Sequence, residues 1–110
     1  MTIKDVGFAV TDWYKIKPVQ FEGEEGTSFW RTFKEGNLRV RMVEYGPGFK
    51  SDHYCERGHV LLVLEGELTI KLKDGRIFNL SEGTSFQTSD DENNPHLAVS
   101  QKGAKVFIVD

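Results

Sequence analysis

Asp52-His53-Tyr54-Cys55-Glu56-Arg57-Gly58-His59-Val60-Leu61-Leu62-Val63-Leu64-Glu65-Gly66 holds two of the chain's three histidines and its single cysteine. The remaining histidine, His96, lies far down the chain. Imidazole and thiolate are the side chains that bind first-row transition metals best. Alternate residues of a strand share a face, so His53 and Cys55 can point the same way. His59, six after His53, keeps that phase if the strand is continuous. Gly58 is a place for a bulge that adjusts the aim of His59. The stretch therefore predicts a metal site at the mouth or interior of a small β-barrel. His59 to Leu64 is nearly continuous apolar, which predicts a strand buried on both faces or a barrel wall.

Outward from this stretch the signals are almost all strand. Ser28-Phe29-Trp30-Arg31-Thr32-Phe33 is aromatic and β-branched and stops at Glu35-Gly36-Asn37. Leu38-Arg39-Val40-Arg41-Met42 alternates apolar with charged, the pattern of a half-buried strand. Gly46-Pro47-Gly48 predicts a turn. Downstream, Leu68 to Lys73 alternates, Asp74-Gly75 predicts a two-residue type I′ hairpin, and Arg76 to Leu80 is the returning strand. Glu82-Gly83 turns again before Thr84 to Thr88. Ser89 to Pro95 is a polar, acidic loop. His96 to Val99 and Ala104 to Val109 are the last strands, joined at Gln101-Lys102-Gly103. No long helical period occurs. Many short strands with Gly-rich turns predict an all-β sandwich or barrel.

Residues 1–25 carry irregularly spaced apolar side chains, and Pro18 breaks any helix there. They read as an extended arm with a short strand or two, and the barrel as 27–110. The 110 residues fit one domain. With 38% hydrophobic and 28% charged residues the composition is globular rather than disordered. The net charge of −3 argues against a broad nucleic-acid surface. One cysteine cannot form an intramolecular disulfide, so nothing points to an oxidising compartment. Asp5 and Gly7 interrupt any signal-peptide run, and no apolar stretch approaches the roughly 20 residues of a membrane span. The cytoplasm is the expected address. The arm's loose apolar residues and the short strands' edges predict a homodimer.

These residues resemble the motifs of a small cupin. In the first cupin motif a Gly precedes His-x-His, a Glu follows, and a second Gly closes. Here Gly48 opens it, His53 and Cys55 stand at the His-x-His positions, His59 stands at the Glu position, and Gly66 closes it. In the second motif Gly83 is first, Ser89 stands at the Pro position, His96 is the last ligand and Ser100 sits at the Asn position. More narrowly, Asp52-His53-Tyr54-Cys55 with Gly58-His59 is similar to the small cupins named for Asp, His, Cys and Trp, with Tyr at the Trp position. Arg41 to Tyr45, Glu65 to Leu68 and the end Phe107-Ile108-Val109-Asp110 also fit. The resemblance implies a cupin-type double-stranded β-helix, a jelly-roll barrel, with His53, Cys55, His59 and His96 as metal ligands.

Taken singly, a core cysteine and scattered surface histidines are the ordinary reading of such residues. Their clustering at motif spacing, with both replacements competent ligands, favours metal. A thiolate favours softer ions, so zinc, nickel or iron is expected. The function expected is a metal-binding cupin, either an oxygenase or isomerase acting on a small molecule or a non-catalytic sensor or storage module. Cys55 as a nucleophile with a histidine base competes with the ligand role. Arg39 and Arg41 share a face with Val43 and Tyr45. A solvated outer face is the preferred reading for them, and a grip on an acidic substrate inside the barrel the alternative. Trp13 and Trp30 read as core or dimer-contact residues. Asp90-Asp91-Glu92 reads as a solvated loop near His96 or a lid. Tyr54 and Glu56 fall on the face opposite Cys55.

Overall fold

The computed structural model describes residues 2–90 and 93–110. Ten strands follow in chain order: β1 (Val19–Glu22), β2 (Thr27–Glu35), β3 (Leu38–Tyr45), β4 (Phe49–Lys50), β5 (His59–Gly66), β6 (Leu68–Leu72), β7 (Ile77–Leu80), β8 (Ser85–Thr88), β9 (His96–Ser100) and β10 (Ala104–Val109). Ahead of them, Trp13–Lys15 forms one 3-10 turn, with the Asp12 carboxylate accepting from the Tyr14 N–H. The strands build two antiparallel sheets, ordered β1-β2-β3-β10-β5-β8 and β4-β9-β6-β7. Placing β10 between β3 and β5, and β9 between β4 and β6, winds the chain through both sheets as a jelly-roll barrel. The fold is all-β, as the strand spacing predicts.

Period-2 alternation explains the core. The larger sheet turns Val43, Leu61, Val63, Val106 and Ile108 inward, and the smaller sheet meets them with Phe49, Leu68, Ile70, Leu80 and Ala98. Burying such side chains is worth about 1.5–3 kcal/mol each. Strand β5 reads inward, outward, inward from His59 onward: Leu61 is buried while Val60 is 44% exposed. It is therefore one wall of the barrel and not a strand covered on both faces, because nothing described packs over Val60.

Two other expectations are corrected. The β6–β7 hairpin turns through three residues, Lys73-Asp74-Gly75, with Leu72 N–H donating to the Arg76 carbonyl and Gly75 N–H to the Leu72 carbonyl. A type I′ turn needs positive φ at both central residues, and Asp74 does not have it. Gly75 alone does, at 100°, while the Asp74 carboxylate accepts from the Arg76 N–H. The strand expected to run unbroken from His53 to His59 is also absent. Residues 51–58 are irregular, Cys55 makes one isolated antiparallel bridge to His96, and β5 starts only at His59. Gly58 is no bulge. A side chain there would drive its Cβ into the backbone of Ser89 and Asp90, so glycine lets the loop before β5 cross the loop after β8. The Gly58 N–H donates to the Asp90 carboxylate across that crossing at 2.6 Å. Asp91 and Glu92, the rest of the proposed lid, lie outside the described residues.

Register places one end of the barrel for chemistry. His59 pairs with Thr88, Val60 with Val109, and the ladder between β3 and β10 continues through paired hydrogen bonds between Arg39 and Asp110. Arg39, Asp110, His59 and Thr88 thus form one row across the larger sheet. The smaller sheet answers with His96, paired to Leu72 and bridged to Cys55.

Candidate metal centre

Strand β5 begins with His59 turned inward, and β9 begins with His96 turned inward; both are buried. Their Nε2 atoms stand 3.1 Å apart, with the rings at 90° to each other. Cys55 is carried to them by its bridge, in which it donates its N–H to the His96 carbonyl at 2.7 Å and accepts at 3.0 Å in return. One donor atom from each of Cys55, His59 and His96 lies within 4.8 Å of the others.

The protonation pattern follows from the neighbours. His96 Nδ1 is 3.1 Å from the Asn94 carbonyl, which can only accept, so Nδ1 carries the hydrogen and Nε2 keeps its lone pair. His59 Nδ1 faces Asp110 Oδ2 at 3.5 Å, which favours its hydrogen on the same nitrogen. That distance is too long for a good hydrogen bond, and His59 Nδ1 is buried without a hydrogen-bond partner. Both Nε2 lone pairs then point into one space, an arrangement that a cation relieves. Two nitrogens each about 2.0–2.1 Å from a tetrahedral zinc stand roughly 3.3 Å apart, so the donors fit a transition metal.

Electrostatics favour the ligating form at Cys55 and His59 and oppose it at His96. The hydrogen bond with His96 holds the Cys55 thiol below its ordinary range, against the opposing effect of burial. Burial pulls His96 down, but Cys55 and the Asn94 carbonyl outweigh it and leave His96 raised. Burial holds His59 low, with Asp110 opposing. A lowered thiol and the neutral imidazole of His59 are forms that bind metal, and an ion would displace any proton that His96 shares with Cys55.

Behind His59 lies a charge cluster that sequence reasoning did not assemble. The Asp110 side chain is 2% exposed. It accepts two hydrogen bonds from Arg39 at 2.9 Å and one from Arg41 at 3.1 Å, with Arg57 Nε at 3.3 Å. Burial alone would raise its carboxyl, but Arg39, His59 and Arg41 together hold it well below the usual carboxylate range. The preferred outer-face reading of Arg39 and Arg41 is thus corrected. Arg41 is 6% exposed, faces inward and lies over the Trp30 ring at 4.6 Å. A charged residue tolerates that burial because a carboxylate meets it. The one sequence signal for Asp110 was the inward phase of Ala104, Val106 and Ile108, which period 2 carries to position 110.

His53 is not brought into the group. Its side chain is 76% exposed, and its Nδ1 sits 2.6 Å from the neighbouring Asp52 carboxylate. The phase argument that paired it with Cys55 required a strand that does not form. Tyr54 is exposed near Lys73. Trp13 packs edge-on against Phe107, and Trp30 packs at a tilt against Phe21. Phe86, not singled out by sequence, packs its ring 5.4 Å from both His59 and His96.

No protein-family model matches the sequence, and no curated protein matches it. Solved structures do match in fold. An RmlC-like cupin from Shewanella frigidimarina superposes with a TM-score of 0.74 at 20% identity, covering 94% of this chain and 89% of that one. A predicted oxalate decarboxylase from Thermotoga maritima gives 0.77 at 14% identity, covering 92% and 96%. Fe(II)-HppE, solved with an alternative substrate, gives 0.73 at 17% identity, covering 99% of this chain and 62% of that one. The fold is the cupin fold. No helix among the described residues is long and apolar enough to cross a membrane.

Proposed function

We propose that the chain is a metal-binding protein on the cupin fold, with Cys55, His59 and His96 as ligands, and that it acts as a metal-dependent enzyme on a small molecule. The observation that carries this reading is the pair of inward Nε2 atoms 3.1 Å apart beside a thiol held low. Three protein donors leave a coordination position open, which separates catalytic sites from closed structural ones. The ion is zinc, nickel or iron, since a thiolate selects the softer first-row metals. Bound there, it would supply Lewis acidity and a place for a substrate oxygen. The chain's own residues do the rest. Asn94 holds the tautomer of His96, Asp110 faces the far nitrogen of His59, and Arg39, Arg41 and Arg57 keep Asp110 ionised and in place. Phe86 covers both imidazoles on one side and restricts water there.

A non-catalytic sensor or storage module is the alternative. Elemental analysis of untagged protein, followed by anaerobic loading with ferrous iron and oxygen-uptake assays on small thiols, diketones and hydroxy acids, decides between them. Substrate-dependent uptake lost in His96→Ala supports the enzyme. Stoichiometric metal with no turnover supports the module. Less than about a tenth of an equivalent of any transition metal, even after loading, removes the metal reading. It would leave the Cys55–His96 pair, whose mutual pKa shifts suit a thiol nucleophile.

The expected cytoplasmic homodimer belongs to the same proposal. Phe8 and Val10 in the arm are 100% and 85% exposed, apolar surface that a second copy would cover. Light scattering that returns a 12.5 kDa monomer at micromolar concentration would remove the dimer.

A further inference from the structure

A cavity of about 360 Å³ adjoins the centre, with His96 in its wall. It opens between β7 and β8, which are end strands of different sheets and do not pair with each other. Its inner surface is Ile70, Leu72, Phe78, Leu80 and Phe86. Phe86 is shared with the metal centre, since the same ring lies against His59 and His96. Phe78 is 48% exposed, a large apolar side chain left in water at the cavity. Phe78 is paired with the buried Ile70 across the β6–β7 ladder, and its outer part is what the cavity exposes.

Charge decides what kind of molecule suits this space. Arg76 is the one lysine, arginine or carboxylate among the described residues of the lining. Its guanidinium is already held by the Asp74 carboxylate at 2.7 Å and by the Asn94 side-chain oxygen at 2.8 Å. The cations closer to the centre, Arg39, Arg41 and Arg57, are turned on Asp110. Among the described residues, then, an anionic substrate would find no free cationic side chain along the body of the cavity, and the ion beside His96 would be the one positive charge it could reach. The polar groups on offer are neutral: Ser85, Gln87 and Thr88 from β8, and Asn94. A water molecule takes about 30 Å³, so the space holds about a dozen such groups.

We propose that this cavity binds a compound with an uncharged, largely apolar body whose oxygen end reaches His96 and the ion beside it. The apolar body would lie against Phe78, Leu80 and Phe86, and the neutral rim would hydrogen-bond its edge. The contact with the ion rests on the metal-centre reading; the class of compound does not.

The test uses the full chain loaded with cobalt, with naphthol as the apolar probe and malonate as the anionic one. Cobalt content is measured separately. Naphthol is expected to bind, to shift the visible bands of the cobalt centre, and to bind at least about tenfold more weakly to Phe78→Glu, which puts a charge into the apolar wall. Phe78→Leu, which keeps the wall apolar, is expected to retain binding. Malonate, which can reach only the ion, is expected to bind more weakly than naphthol and to the same extent in wild type and Phe78→Glu. Cobalt uptake with bands moved by malonate and not by naphthol overturns the proposal, as does equal naphthol affinity in wild type and Phe78→Glu. Naphthol binding that is lost in Phe78→Glu, in a protein that takes up no cobalt, keeps the ligand class and overturns the metal centre instead.

Discussion

His59 Nε2 and His96 Nε2 face each other at 3.1 Å from opposite sheets of the barrel. With His96 Nδ1 turned to the Asn94 carbonyl and His59 Nδ1 toward Asp110, both Nε2 atoms can turn lone pairs to one ion. Saturating zinc at a hundred times its dissociation constant should therefore add about 2.7 kcal/mol to folding stability. For a chain of this size that raises the melting temperature by roughly 10 °C or more. Differential scanning calorimetry with and without a chelator reads the shift, and no shift would argue that the nitrogens share a proton and not a metal.

His53 and His59 should separate cleanly under substitution. His53 is exposed and engaged with Asp52, so His53→Ala is expected to leave zinc affinity within about threefold of wild type. His59→Ala and His96→Ala each remove a donor and should weaken binding by at least about a hundredfold, given the large free energies such ligands contribute. Competition with a chromogenic chelator measures all three. A large loss in His53→Ala would mean that the 51–58 loop refolds around the ion.

Cys55 offers a kinetic readout. Metal coordination deprotonates and shields the thiol. Thiol reagents should label it slowly in the loaded protein and much faster after chelation. Equal rates would take Cys55 out of the ligand set.

Asp110→Ala should be among the most destabilising single changes in the chain. It leaves Arg41 buried without its carboxylate, a loss of about 3–5 kcal/mol by the general cost of breaking a buried pair. Urea denaturation of the metal-free protein isolates this effect from ligand binding. A loss under about 1 kcal/mol would mean that the cluster opens to water when Asp110 is removed.

Tyr45 gives a pH dependence. Burial pushes its hydroxyl up to about 12, with the Arg41 charge opposing. The folded chain then holds this proton more tightly than the unfolded chain, whose tyrosine titrates near 10. The stability involved is fully present below about pH 10 and is lost as pH rises toward 12, by about 3 kcal/mol in total. Tyr45→Phe should remove that part of the alkaline loss. Parallel wild-type and Tyr45→Phe curves between pH 9 and 11 would mean that the ring swings out to solvent.

The sequence carried what is local. Alternation located β3, β6 and β10, Asp74-Gly75 located the hairpin, and composition brought Cys55, His59 and His96 forward as donors. What it lost depends on contacts made across the chain. His53 was paired with Cys55 by a strand phase that holds only where a partner strand exists, and 51–58 has one bridge alone. Arg39 and Arg41 read as solvent-facing because charged residues seldom enter a core. Their partner sits 71 and 69 positions away, beyond the reach of any periodicity. The turn at Asp74-Gly75 has the right residues for type I′ and a different geometry, because its ladder ends on Leu72 and Arg76, leaving Lys73 in the loop as well.

The three donors do not belong to one sheet. His59 rides on the larger, His96 on the smaller, and Cys55 is tied to His96. An ion among them is therefore a clasp across the barrel, set at the end where β7 and β8 leave the wall open. Taking the ion away would let that end breathe while the core around Val43, Val106 and Leu68, all fully buried, stays shut. Backbone amides of β7 and β8 would exchange with solvent faster, and those of β3 and β10 would not. The stiffness of the doorway into the cavity would then be set by the same atom that waits behind it.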